Sequence, residues 1–115
     1  MATPKHERRK APRIPVLVRV ECETPQNCFF GNCENISETG MLIASRHTFE
    51  VFQKLVLRFV LPGVLAGRVI QTQAVIVRVQ AGKYMAVEFQ DMLDSFREAL
   101  AQYVERTLNT GSQPG

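Results

Sequence analysis

The sequence predicts a mainly β protein, a small antiparallel barrel or sandwich, read as a six-stranded antiparallel β-barrel with a flexible basic N-terminal arm and a C-terminal α-helix. Three observations carry this reading. Apolar and polar residues alternate in short runs separated by turn clusters, the pattern of strands with one face on a core. After Asp91 the apolar period lengthens to three and four residues, which marks one amphipathic helix. Ahead of the first apolar run, Arg8-Arg9-Lys10-Ala11-Pro12-Arg13 packs four positive charges into six residues. A chain of 115 residues suits a single core. The expected layout is an arm over 1–13, a barrel with its helix over 14–108 and a disordered tail over 109–115.

Taken in order, Ile14 to Glu23 reads as the first strand. Val16, Val18, Val20 and Cys22 fall on one face and Arg19, Glu21 and Glu23 on the other, while Pro15 fits a strand start or edge. Thr24-Pro25-Gln26-Asn27 is a turn cluster. Cys28 to Ser37 forms a second strand, with Gly31 as its expected bulge, and Glu38-Thr39-Gly40 breaks it. Met41 to Ala44 is a short third strand, followed by a surface loop from Ser45 to Glu50. Val51 to Leu61 is strand-like, most clearly from Lys54 onward, and Pro62-Gly63 turns the chain. Gly67 to Gln80 holds one long strand or two kinked ones. Ala81-Gly82-Lys83 leads into a last strand, Tyr84 to Phe89. In the helix, Leu93, Phe96, Leu100, Tyr103, Val104 and Leu108 form the apolar stripe. Ser95 to Glu98 has the form of a capping box, with Asp94 as the rival N-cap.

Charge divides the chain in two. From residue 14 onward there are nine basic and ten acidic residues, so the net charge of +3 belongs to the arm. Pro12 disfavours helix at Ala11, which sets Arg9 and Arg13 on a bent or extended segment. The most apolar run, Leu55 to Leu61, is too short to span a membrane and carries Arg58 at its centre. The polar N-terminus has no apolar core of a secretory signal, so the cytoplasm is the expected location. Cys22, Cys28 and Cys33 are odd in number and lack zinc-site spacing, and read as free thiols buried or half-buried in strands. No metal or cofactor is expected. A Gly-rich phosphate loop, a nucleophile with a His base and an acidic metal cluster are all missing, so the chain is not read as an enzyme.

Two local patterns remain. Arg9-x-x-x-Arg13 ends the arm, and Asn35-x-Ser37-x-x-Gly40 ends the second strand in a turn. Residues two apart on a strand share a face, so Asn35 and Ser37 are expected to present an amide and a hydroxyl side by side. Gly40 is expected to supply a positive φ or a close backbone approach for a ligand. Arginine donates two hydrogen bonds to guanine O6 and N7, pairs with phosphate and stacks on flat rings.

These patterns, in this order and ahead of barrel strands with a terminal helix, resemble the PilZ domain family of bacterial cyclic di-GMP receptors. The similarity continues through Asn35 to Ile43, Gly67-Arg68-Val69-Ile70 and Tyr84 to Phe89, and covers roughly residues 8 to 106. The resemblance implies a cyclic di-GMP receptor whose Arg9 and Arg13 grip guanine edges and phosphates, with Arg8 as an auxiliary phosphate contact. Asn35, Ser37 and Gly40 would meet a guanine on the barrel surface. Asn35 stands where many members carry Asp, and its amide lacks the charge-assisted strength of a carboxylate. Ligand binding would order the arm and signal to a separate protein partner in motility, biofilm or polysaccharide control. The rival reading is a ligand-independent adaptor of the same family. Nucleic acid is a poor fit, because the body is slightly acidic and its strands lack a row of exposed aromatics.

Overall fold

Strands form where the alternation places one face on a core, and six of them close on themselves. The computed structural model describes residues 11–47 and 49–111. Its strands are β1 (Ile14–Glu23), β2 (Cys28–Ile36), β3 (Gly40–Ala44), β4 (Lys54–Phe59), β5 (Ile70–Gln80) and β6 (Tyr84–Gln90), followed by helix α1 (Asp94–Gly111). They make a closed antiparallel barrel in the order β1-β2-β3-β6-β5-β4. Closure removes the exposed edges that an open sheet would have to protect. The expected barrel and C-terminal helix are therefore present. The arm residues 1–10, with Arg8 and Arg9, and tail residues 112–115 lie outside the described residues.

The inward faces build one core. Val20, Cys22, Ile36, Ile43, Leu57, Ile70, Ile76, Met85 and Val87 are buried in it. Inward Thr72 is polar, and its hydroxyl donates to the Gln90 carbonyl at 3.3 Å. Gly31 is not the bulge expected from the sequence: it pairs regularly with Val20. It is a glycine because a Cβ there would lie 2.6 Å from Ile43 Cγ2. The register shifts fall elsewhere, one of them in β1 between Pro15 and Val18 where it pairs β2. Glu34 is the extra residue where β2 pairs β3, between Cys33 and Asn35. Val77 is the extra residue where β5 pairs β6, between Ile76 and Arg78. Each inserts one residue and shifts the inward set, so Cys33 and Ile36 are both buried although three apart. The stretch from Gly67 to Gln80 resolves into one bulged strand preceded by a 3₁₀ turn at Leu65–Gly67.

Helix α1 starts one residue before the expected capping box. The first helical bond runs from the Arg97 N–H to the Leu93 carbonyl at 2.9 Å, so Ser95 lies inside the first turn. Asp94 sits in that turn, where a carboxylate suits the positive end of the helix dipole. The helix continues to Gly111, beyond Leu108 where the apolar period ends. Leu100 and Val104 are buried, with Phe96, Ala99 and Tyr103 packed around them, and the helix approaches the barrel at β1. The two ends of the stripe are not covered: Leu93 is 61% exposed and Leu108 39%. Among the described residues, no helix is long and apolar enough to cross a membrane.

This packing separates two leucines of one stripe. Leu100→Ala is expected to lower unfolding free energy by about 2–5 kcal/mol, the range for a buried leucine that leaves a cavity. Leu93→Ala is expected to stay within about 0.5 kcal/mol. Urea titration of both variants checks the contrast.

Candidate ligand-binding site

The end of the arm meets the end of β2. Pro15 pairs with Asn35 across the β1–β2 ladder, which brings Arg13 within reach of the same strand. The Arg13 Nη1 donates to Asn35 Oδ1 at 2.9 Å, in an exposed contact. The bulge at Glu34 turns Asn35 outward between the buried Cys33 and Ile36. The sequence brings these two residues together as members of separate motifs; their direct bond is new information.

Ser37 builds the turn that follows. It is only 1% exposed. Its Oγ accepts from the Thr39 N–H at 3.1 Å and the Gly40 N–H at 3.2 Å. The Ser37 N–H donates to the Gly40 carbonyl at 2.8 Å, and the Phe89 N–H to the Thr39 carbonyl at 2.9 Å. The hydroxyl is thus engaged within its own turn and does not stand free beside the Asn35 amide. A side chain that satisfies two backbone donors is an efficient way to hold a tight turn. Gly40 does not use a positive φ. It is required because a Cβ would run into the Val87 backbone carbonyl of β6.

These parts frame a cleft of about 350 Å³ lined by Ala11, Arg13, Ser37, Thr39, Gly40, Val77 and Glu88. Arg13, Ser37 and Gly40 were expected there; Asn35 stands behind the rim and holds Arg13. Val77 and Glu88 carry no local motif, and only the fold brings them in. Glu88 pairs opposite Gly40, and Val77, 37% exposed, is turned out by its bulge. The cleft therefore combines a guanidinium, a carboxylate, backbone at a tight turn and the apolar side chains of Ala11 and Val77. A guanidinium binds phosphate oxygens or the O6/N7 edge of guanine, and a carboxylate accepts from N–H donors.

One cation elsewhere on the barrel is already engaged. Arg58 pairs with Glu21 at 3.2 Å and Glu23 at 2.7 Å, and its Nε donates to Gln71 Oε1 at 2.9 Å. Cys22 and Cys33 are buried, but Cys28 is exposed rather than half-buried. Burial pushes the Cys22 and Cys33 thiols up to about 12. The Cys28 Sγ donates to Glu21 Oε2 at 3.1 Å, and that bond raises its pKa. Among the described residues, no group of three or more His, Cys, Asp or Glu is placed to hold a metal ion.

Three outcomes follow from this geometry. Ser37→Ala leaves the Thr39 and Gly40 N–H groups without their acceptor and is expected to destabilise by about 1–3 kcal/mol in urea. Gly40→Ala forces β3 away from β6, with an expected loss of about 1–3 kcal/mol or more. At pH 8, one thiol per native chain should react readily with a disulfide reagent, and Glu21→Gln should speed it, because the carboxylate that retains the Cys28 proton is gone. Labelled-peptide mapping identifies which cysteine reacts.

The PilZ domain model matches residues 7–106. No curated protein matches the chain. Among solved structures, the chain is similar to the inhibitor of motility MotI/DgrA of Bacillus subtilis, with 27% identity and a TM-score of 0.78, over 88% of this chain and 52% of that one. It thus spans about half the length of that protein. It is also similar in fold to the PilZ domain of YcgR from Escherichia coli with c-di-GMP, at 13% identity and TM-score 0.67, over 94% of this chain and 99% of that one. A third likeness is the PilZ domain of CeSA from a cellulose-synthesizing bacterium, at 18% identity and TM-score 0.60, over 90% and 100%. The chain belongs to the PilZ domain family.

Proposed function

We propose that this PilZ-family chain is a cyclic di-GMP receptor that signals to a separate protein by fixing its N-terminal arm on the ligand. The observation that carries the reading is the cleft lined by Arg13, tied to Asn35 at 2.9 Å, together with Glu88 and the Ser37–Gly40 turn. Cyclic di-GMP needs cations for its phosphates and both donors and acceptors for its guanines. Arg13 supplies the first, with Arg8 and Arg9 as further phosphate and guanine contacts from the arm. Asn35 acts as a positioning residue that aims the guanidinium, and its amide replaces the charge of a carboxylate with a neutral acceptor. The rigid Ser37 turn presents backbone to one base, and Val77 offers it an apolar face. The YcgR domain solved with c-di-GMP and the name of the motility inhibitor support a second-messenger role and a motility output.

Before binding, the arm's charges repel one another, and bound phosphates remove that repulsion. Ordering the arm alters the surface and charge a partner meets, which is the proposed signal. The proposed site comprises Arg8, Arg9, Arg13 and the Gly40 backbone, with Asn35 and Ser37 as its positioning residues, in a cytoplasmic protein with no cofactor.

Isothermal titration of cyclic di-GMP tests the reading. Wild type should bind with measurable heat, and Arg13→Ala should weaken binding about ten- to a hundredfold, since charged hydrogen bonds contribute about 1.5–3 kcal/mol. Asn35→Ala should weaken it less, by about three- to tenfold, because it loosens Arg13 without removing it. Absence of heat with wild type sinks the receptor reading and leaves the ligand-independent adaptor.

A further inference from the structure

The β3–β6 ladder has two ends. At one, Gly40 pairs with Glu88 beside the Arg13 cleft; at the other, Ala44 pairs with Tyr84, about 14 Å away at the strand rise. A second cleft of about 460 Å³ opens at that far end, between the start of β2, the loop after β3 and the β5–β6 turn. Gly31 lines it with backbone alone, because a Cβ there would point inward onto Ile43 Cγ2 and lie 3.0 Å from the Ala44 carbonyl. The Ser45 N–H donates to the Lys83 carbonyl at 3.0 Å, and the His47 N–H to Ser45 Oγ at 3.1 Å. Those bonds tie the two flanking loops together.

The chemistry of this cleft is one-sided. Arg46, Lys83, His47 and Asn32 line it, with no Asp or Glu among the lining residues. Arg58 on the opposite side of β1 is clamped by two carboxylates, but among the described residues no carboxylate lies within ion-pair distance of Arg46 or Lys83. Arg19 adds a third cation beside it, lying over the Phe30 ring at 4.7 Å. In a body with ten acidic and nine basic residues, unpaired cations gathered around one cleft form a local positive field. We propose that this cleft binds an acidic segment of a protein partner, whose carboxylates pair with Arg46 and Lys83.

A peptide fits better than a nucleic acid. Stacking successive bases needs a row of aromatic faces, and the lining holds one phenyl ring, Phe30, with Arg19 over it, and His47, tilted against Phe29 at 4.5 Å between centroids. Carboxylates need only the guanidinium and ammonium groups that the rim offers. The site is separate from the Arg13 cleft, so the proposal stands or falls independently of cyclic di-GMP binding.

The test uses the full chain and a fluorescein-labelled hexaglutamate peptide read by anisotropy at low salt. Arg46→Glu/Lys83→Glu is compared with Lys54→Glu/Arg97→Glu, which changes the net charge equally at other surfaces. The first should weaken peptide binding about tenfold, the second far less, because close charge pairs dominate over screened distant ones. Arg46→Gln/Lys83→Gln should give an intermediate loss, and it decides the matter if circular dichroism shows the reversed pair unfolded. Equal weakening by the two reversals would assign the effect to the arm or to net charge, and overturns the proposal. So does an oligothymidylate that displaces the peptide at lower concentration and loses its own affinity in the Arg46/Lys83 variants. A separate cyclic di-GMP titration of the same variants distinguishes loss of this surface from failure of the receptor reading.

Discussion

Barrel closure depends on β3 lying hard against β6 at Gly40, where a single methyl group would run into the Val87 carbonyl. The close approach sets the register of that ladder, and the register sets Glu88 opposite Gly40. It also holds the Ser37 turn against β6, through the bond from the Phe89 N–H to the Thr39 carbonyl at 2.9 Å. The candidate site is thus assembled from the seam by which the barrel closes. A rigid seam is what a binding surface needs, because the entropy of ordering it is lost on folding and not on ligand binding.

Against this rigid wall stands one residue of the arm. Arg13 is held by an exposed hydrogen bond to Asn35, a contact of modest strength in water. That asymmetry matters for signalling. In the proposed receptor, an element held by about 1 kcal/mol would redistribute readily when phosphates arrive, against a turn held by several backbone hydrogen bonds. A neutral Asn35 holds Arg13 more weakly than a carboxylate would, which keeps the guanidinium available to an incoming anion.

Much of the fold was legible because strand and helix periods differ, and every strand segment contained a recognisable run. Local irregularity was not. Gly31 looked like a bulge residue, yet its missing side chain serves Ile43; the register shifts fall in β1 between Pro15 and Val18, at Glu34 and at Val77, ordinary side chains whose extra place is visible only in the pairing. Gly40 was legible as a special position, but for the wrong reason, since its constraint comes from β6, 47 residues further along the chain at Val87. Arg13 and Asn35 were found through short motifs. Glu88 and Val77 were not, because each joins the cleft through a non-local ladder and nothing in its own neighbourhood marks it. Ser37 shows a third case, a motif residue whose hydroxyl works for the turn and reaches outward only through the backbone it positions.

The central claim is that the closure seam and the last residue of the arm form one ligand site. Amide chemical-shift mapping of the full chain during addition of cyclic di-GMP tests it most directly. The account predicts the largest changes at Arg13, Asn35, Thr39, Gly40, Val77 and Glu88, with Arg46 and Lys83 little affected. Changes concentrated around Arg46 and Lys83, with Arg13 and Gly40 unmoved, would contradict it.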